Sequence, residues 1–316
     1  MKKNLRIVFM GTPDFAVGVL KKLVEGKKNI VGVITAPDKP AGRGRKLHAS
    51  AVKKFAAEKN LPVLQPTNLK SEAFLEELKA LQANLQIVVA FRMLPKAVWQ
   101  MPAYGTFNLH ASLLPQYRGA APINWAVMNR EKKTGVTTFF IDEKIDTGEI
   151  ILASEIAIEE RETAGSLHDK LMVLGSKLVL ETVNRIETSE VKTLPQPKTE
   201  TFKEAPKLTS ENTRIDWNRS VSDIDAFIRG LSPYPVAWTE VHMNGETLMM
   251  KIYEAESLEE KHSEVPGSIS TTKKELKIAA KNGFLFIKEL QLPGKRKMAT
   301  LSLLNGFTFT KDAKVM

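Results

Sequence analysis

Apolar positions come in short runs that alternate between the strand period and the helix period. Leu5–Met10 (LRIVFM) is a branched apolar run closed by Gly11, the pattern of a buried strand. Pro13 follows in what reads as a first helical turn capped by Thr12, and Phe15, Val19, Leu20 and Leu23 then recur on one helix face. Ile30–Thr35 reads as a second strand. A Pro/Gly/Arg-rich loop runs from Ala36 to Lys46, and a second helix is predicted over Ala49–Lys59. Leu61–Leu64, Leu85–Phe91 and Gly105–Leu109 add three strands, with helical pattern between most of them. This alternation predicts an α/β domain: a Rossmann-like, mainly parallel sheet with helices on both faces.

Between Ile186 and Thr209 the periodicity collapses into Thr, Lys, Glu and the prolines Pro195, Pro197 and Pro206, the composition of an extended linker. One helix pattern follows, Val221–Leu231. Strand-like pieces then recur at Val236–Val241, Leu248–Tyr253, Leu276–Ala279 and Phe284–Leu290. Asn244-Gly245, Pro266-Gly267, Asn282-Gly283 and Pro293-Gly294 punctuate them, and the set predicts a small β-barrel. Trp217 and Trp238 sit in apolar or strand-like context and read as barrel packing. The expected division is a first domain over 1–188, a linker over 189–208 and a second domain over 209–316.

Composition narrows the function classes. The chain has 316 residues, 43% of them hydrophobic, enough for two cores. It has no cysteine, which removes disulfide scaffolds, thiolate metal sites and cysteine nucleophiles. No apolar stretch approaches the roughly 18 residues of a membrane span. Met1-Lys2-Lys3-Asn4 runs straight into the first strand without a signal-type region. A soluble cytoplasmic protein without a membrane partner is the expectation. The net charge of +10 is localised: residues 1–60 carry +10, residues 61–205 carry −2 and residues 206–316 carry +2. Such concentration points to an electropositive face for an anionic partner, although Lys21, Lys22, Lys53 and Lys54 read as solvated helix surface.

Ligands of an open parallel sheet bind outside the carboxyl ends of its strands. Four unusual segments fall there: Gly11–Phe15, the loop 36–48, Phe91–Pro95 and Asn108–Gly119. No G-x-G-x-x-G follows the first strand and no P-loop occurs, which disfavours dinucleotide and nucleoside-triphosphate chemistry. Strand alternation puts Asn108 and His110 on one side. A carboxamide donor beside an imidazole suits a reaction that builds negative charge on a carbonyl oxygen. Asp146, in the turn-like Ile145-Asp146-Thr147-Gly148, could bring a carboxylate to the pair. The five histidines include no pair at helical metal-ligand spacing. On spacing alone, His110 divides evenly between catalysis and a structural strand end, and Asp146 reads first as a structural turn.

The segment His110-Ala111-Ser112-Leu113-Leu114-Pro115, followed by Tyr117-Arg118-Gly119, with Asn108 upstream and Asp146-Thr147-Gly148 downstream, resembles the signature of the 10-formyltetrahydrofolate-dependent formyltransferases. Gly11-Thr12-Pro13-Asp14-Phe15, Pro37-Asp38-Lys39-Pro40-Ala41-Gly42-Arg43-Gly44 and Ile215-Asp216-Trp217 narrow the resemblance to the branch acting on tRNA, over essentially the whole chain. The resemblance implies transfer of a formyl group from N10 of 10-formyltetrahydrofolate, a co-substrate, to the α-amino group of methionine on initiator Met-tRNA. It implies a monomer that needs no metal, with Asn108, His110 and Asp146 catalytic. By the same resemblance, Ser112, Leu113, Leu114 and Pro115, with Phe91 and Leu94, would hold the folate. Arg43, Arg45, Lys46 and Lys207 would contact tRNA, and the C-terminal domain would be an OB-like barrel holding the tRNA backbone. Phe91-Arg92-Met93-Leu94-Pro95 departs from the family's Tyr-Gly-x-Ile-Leu-Pro form and is one residue shorter, and Gln116 stands where a basic residue is common. The rival readings are a formyltransferase acting on a small amine and a non-catalytic tRNA-binding protein on the same scaffold.

Overall fold

Five consecutive buried positions, Ile7–Gly11, form the first strand (β1) of a seven-stranded sheet. A computed structural model of the chain describes residues 2–41, 46–198 and 201–316. The other strands are β2 (Ile30–Ile34), β3 (Val63–Leu64), β4 (Leu85–Val89), β5 (Thr106–His110), β6 (Lys133–Phe140) and β7 (Ile150–Ala157). They lie in the order β7-β6-β5-β4-β1-β2-β3. The pairs from β3 through β5 are parallel, and β6 runs antiparallel to β5. The chain builds outward from β1 through β2 to β3, then returns to place β4 on the other side of β1. Strand order therefore reverses between β1 and β4, and the carboxyl ends of this pair are where such a sheet opens a crevice. Gly11 ends β1 opposite Val89, and a Cβ there would stand 2.5 Å from the Ala16 Cβ and 3.0 Å from the Val89 carbonyl oxygen.

Helices cover both faces. Helix α1 (Asp14–Glu25) buries Phe15, Val19, Leu20 and Leu23, the predicted face. Its start differs from expectation: Pro13 holds the cap position without a side-chain hydrogen bond, so Thr12 is not the cap. Asp14 in the first turn faces the positive end of the helix dipole instead. Helix α2 (Ala51–Glu58) is capped by Ser50, whose side chain accepts from the Lys53 amide. From α3 (Glu72–Ala80), Phe74 and Leu78 pack with Val8, Met10, Ile34 and Val88 on one sheet face. On the opposite face lies the long helix α4 (Ala164–Thr188), where Gly175 leaves room for Leu109 and Val136 and Met172 fills the space over Gly18 of α1. Val88 pairs with Asn108 in parallel register, so Asn108 shares the α3 face while Leu109 faces α4.

Strands β6 and β7 lie beyond the elements read from sequence. All but the ends of β6 are buried, which removes the alternation that marks a half-exposed strand. Helix α4 ends at Thr188, where the linker is predicted to begin, and within that linker Leu194 forms an isolated bridge with Ile150.

The chain divides into two compact units. The sheet unit comprises Met1–Gly119, Thr134–Ile156 and His168–Glu204; the second comprises Ala120–Lys133, Ala157–Leu167 and Ala205–Met316. In the second unit the strands are β8 (Ala237–Met243), β9 (Glu246–Glu259), β10 (Ile269–Thr271), β11 (Leu276–Ala280), β12 (Gly283–Gln291) and β13 (Lys314–Val315). Their order is β10-β11-β12-β9-β8-β13, with Met298–Ala299 also paired to β12. A bridge between Ser268 and Lys314, and a Val315 amide donating to the Gly267 carbonyl at 2.9 Å, join the two ends into an antiparallel barrel. Its core includes Ile252, Met250, Leu285 and Ile287 together with Ile224 and Ile228 of the predicted helix Val221–Leu231. Trp217 is buried in this core and donates its indole N–H to Thr239 Oγ1 at 3.0 Å. Trp238 is half-buried, with the Arg214 guanidinium 5.5 Å from its ring centre. Among the described residues no helix is long and apolar enough to cross a membrane.

Candidate active site

Strand β5 carries Asn108 and His110 two residues apart, and the chain leaves it directly into the loop 111–119. His110 is buried at 6% exposure. Its Nε2 stands 2.8 Å from the Tyr117 carbonyl oxygen. A carbonyl only accepts, so Nε2 carries a proton and donates it. The other ring nitrogen, Nδ1, faces Asp146 Oδ2 at 3.8 Å. That gap is longer than a hydrogen bond. Asp146 Oδ2 is fixed from the loop side by the Gly119 amide at 3.0 Å. The Asn108 carboxamide is half-buried and makes no hydrogen bond among the described residues, leaving two donors uncommitted.

The loop after β5 is knitted by its own polar groups. Ser112 Oγ donates to the Gln116 carbonyl at 2.6 Å, and Thr137 Oγ1 on β6 donates to the Ser112 carbonyl at 2.7 Å. Leu114–Pro115 is cis, and Tyr117 takes a left-handed backbone with φ 59°. Leu113 packs over Gly135 of β6, and Leu114 is buried. Pro115 lines a cavity of about 370 Å³ with Arg118, Asp142, Thr147, Gln196 and Phe202. Phe91 and Leu94 follow the carboxyl end of β4 and pack against the α3-face cluster. The Arg92 guanidinium donates to the Thr67 carbonyl at 3.0 Å and lies 5.5 Å from the Phe91 ring centre.

The structure thus brings together Asn108, His110 and Asp146, with Ser112–Pro115 continuing from the same strand and Phe91 and Leu94 in the segment that follows the neighbouring one. Arg43 and Arg45 lie outside the described residues, as does the side chain of Lys46. The base of their loop is described. Lys39–Ala41 pairs antiparallel with Lys46–His48, and Asp38 is held by Lys53 Nζ at 2.6 Å and Gln65 Nε2 at 2.8 Å. The Lys53 bond, then the Gln65 bond, keeps the Asp38 carboxyl below the usual aspartate range. Lys207 belongs to the second unit and is exposed, its carbonyl accepting from Asn212 at 3.0 Å. The roles of the Tyr117 carbonyl, the Gly119 amide and Gln196 are not readable from spacing, because each depends on two loops meeting. Tyr117-Arg118-Gly119 carries a signal only as part of the longer motif.

A conserved-family model described as "Formyl transferase" matches residues 5–183, and a second, "Formyl transferase, C-terminal domain", matches residues 207–308. Among solved structures, the N-formyltransferase from Helicobacter canadensis, in complex with folinic acid and dTDP-3-aminofucose, superposes with a TM-score of 0.66 at 20% identity. That match covers 90% of this chain and 98% of the other. HypX from Aquifex aeolicus in complex with tetrahydrofolic acid gives a TM-score of 0.64 at 18% identity over 96% of this chain, which spans about half (47%) of that protein. At these identities the likeness is one of fold. Among curated proteins, the methionyl-tRNA formyltransferase of Flavobacterium johnsoniae is 61% identical over 313 residues, 99% of each chain. The chain belongs to the formyl transferase family and, within it, to the methionyl-tRNA formyltransferases.

Proposed function

We propose that the chain transfers the formyl group of 10-formyltetrahydrofolate to the α-amino group of methionine on initiator Met-tRNA, giving formylmethionyl-tRNA for translation initiation. The observation that carries the reading is the uncommitted Asn108 carboxamide on the strand of His110, with Asp146 Oδ2 3.8 Å from the imidazole. Identity of 61% to a relative of that name over 99% of both chains supports the choice of acceptor.

The incoming amine attacks as the free base. An unperturbed α-amino group has a pKa of about 7.7–8.0, and esterification of the carboxyl lowers it, so the nucleophile needs little activation. Its lone pair forms the new N–C bond and the carbonyl π pair moves onto oxygen. Asn108 donates to that oxyanion from Nδ2, and His110 donates from the Nδ1 side, Nε2 being held by the Tyr117 carbonyl. Collapse breaks the bond from carbon to N10. Asp146 stabilises the imidazolium, takes the proton the amine loses and returns one to N10 through water, so that tetrahydrofolate leaves neutral at that nitrogen.

Ser112, Leu113, Leu114 and Pro115 with Phe91 and Leu94 hold the folate. Arg43, Arg45, Lys46 and Lys207 contact the tRNA, arginine reading phosphate and base edges through its two-pronged guanidinium. The enzyme works as a monomer in the cytoplasm, where charged tRNA and folate are found, without a metal.

The test is a formyl-transfer assay with 10-formyltetrahydrofolate and charged initiator Met-tRNA, read as formylmethionine by mass spectrometry, beside charged elongator Met-tRNA and an aminosugar nucleotide. Product on initiator tRNA alone is expected. Formylation of the sugar, or no product on any tRNA, overturns the reading.

A further inference from the structure

Asp146 is attached to the rest of the sheet unit by more than the Gly119 amide. Its backbone is left-handed at φ 54°. It is followed at Gly148 by a residue whose Cβ would lie 1.7 Å from the Phe140 carbonyl oxygen, so the turn is pressed against the end of β6. One side chain from a distant part of the sequence closes this turn. Gln196 Nε2 donates to the Asp146 carbonyl at 2.8 Å and to the Gly148 carbonyl at 2.9 Å. Gln196 Oε1 accepts from Arg118 Nε at 3.2 Å and Nη2 at 2.6 Å. Two donors and two acceptor sites are all a carboxamide offers, and all are used.

Arg118 lies between Tyr117, whose carbonyl holds His110, and Gly119, whose amide holds Asp146. The Arg118–Gln196 pair therefore ties the loop that fixes the imidazole to the turn that fixes the carboxylate. It does so through the Asp146 and Gly148 backbone carbonyls, whereas Gly119 holds the Asp146 side chain. Gln196 is itself held in place. Leu194 exchanges backbone hydrogen bonds of 2.8 and 2.9 Å with Ile150, and Pro195 and Pro197 flank the glutamine and restrict its backbone.

We infer that Gln196, through Arg118, is a positioning residue that sets the 3.8 Å separation of His110 and Asp146. The inference rests on the reading of the site given above. Glutamate at this position keeps the pairing with Arg118 but turns a negative oxygen toward two carbonyls, and leucine removes both sides of the clamp. A small misplacement of a catalytic group costs on the order of 100-fold in rate.

The experiment compares wild type, Gln196→Leu, Gln196→Glu and Arg118→Lys in single-turnover formyl transfer to initiator Met-tRNA at saturating 10-formyltetrahydrofolate. Filter-binding Kd for the tRNA and thermal melting are measured on the same proteins. Active wild type establishes the reaction, and its failure to form product refutes the functional reading itself. With wild type active, all three variants are expected to lose about 10- to 100-fold in the saturated rate while tRNA Kd stays within about twofold. Arg118→Lys is expected to lose least, because it retains the charge. If Gln196→Leu does not fold, Gln196→Glu and Arg118→Lys carry the same comparison. Wild-type saturated rates in the folded variants, or a rate defect that disappears at saturating tRNA, would show that Gln196 only fastens the segment around it, and would overturn the inference.

Discussion

Left-handed backbone serves different ends in the barrel and at the carboxyl end of the sheet. In the turns between barrel strands it falls on Asn244 (φ 51°), Gly245 (72°), Gly267 (90°) and Gly294 (73°), residue types that adopt it with little penalty, while the same unit also carries it outside those turns at Arg130 (57°) and Val236 (81°). At the strand ends of the sheet it falls on Ala90 (φ 47°), Tyr117 (59°) and Asp146 (54°). For an ordinary L-residue this conformation costs about 1–2 kcal/mol, less for aspartate. What differs is the support. A Cβ on Gly245 or Gly294 would meet nothing within 4 Å, so those turns are local solutions. Tyr117 is held at both ends, its amide donating to the Lys203 carbonyl at 2.6 Å and its carbonyl accepting from His110. Asp146 is held by the Gly119 amide and by Gln196. The unfavourable backbone at the site persists because neighbouring loops over-determine it, and those same bonds aim the functional groups.

The largest effect separating the two regions is expected at Asn108. Asn108→Ala removes a donor that supports nothing in the fold, so kcat falls by about 10²–10³, or about 2.7–4 kcal/mol, while circular dichroism and Tm hold. A variant with normal turnover removes the carboxamide from the chemistry. Asp146 comes next. Asp146→Asn keeps an acceptor for the Gly119 amide and tolerates the left-handed backbone, so activity drops with little change in urea-unfolding midpoint. Asp146→Ala is expected to lose similar activity and, in addition, about 1 kcal/mol of stability. Equal midpoints for the two variants would mean that the backbone at 146 is not strained. At Gly245→Ala the loss is confined to stability, about 1 kcal/mol, with single-turnover formylation unchanged.

The smallest effect concerns the base of the basic loop. Lys53 and Gln65 stabilise the Asp38 carboxylate, and a depressed carboxyl pKa adds stability above the unfolded value that is lost as pH falls through the folded value. An NMR titration of Asp38 should therefore find its midpoint below 3.8, the ordinary value. Asp38→Asn should abolish that titration and leave formylation near neutral pH unaltered. A midpoint at or above the ordinary value would dissolve the clamp.

Much of the fold was legible because periodicity reports burial on one side. The face Phe15, Val19, Leu20 and Leu23 is buried in α1, and Val221–Leu231 is the helix its pattern predicts. Strand alternation likewise places Asn108 and His110 together. β6 escapes the same logic because Gly135 through Phe139 are buried without interruption. The Thr12 cap fails because the helix begins beyond Pro13, at a residue whose charge suits the first turn. Gln196 was invisible for a different reason. Its partners stand 50 and 78 residues away, in loops with no period, and only its place between two prolines marks it.

Closure of the barrel through Lys314 and Val315 makes the last few residues a stave of the sheet. Met316 adds to the seam, its amide donating to the Glu240 carbonyl at 3.0 Å and its carbonyl accepting from Thr239 at 2.9 Å. Trimming this short segment would unmask two strand edges at once, β8 and the Gly267–Thr271 side of β10, each with free amides and carbonyls able to recruit a strand from another molecule.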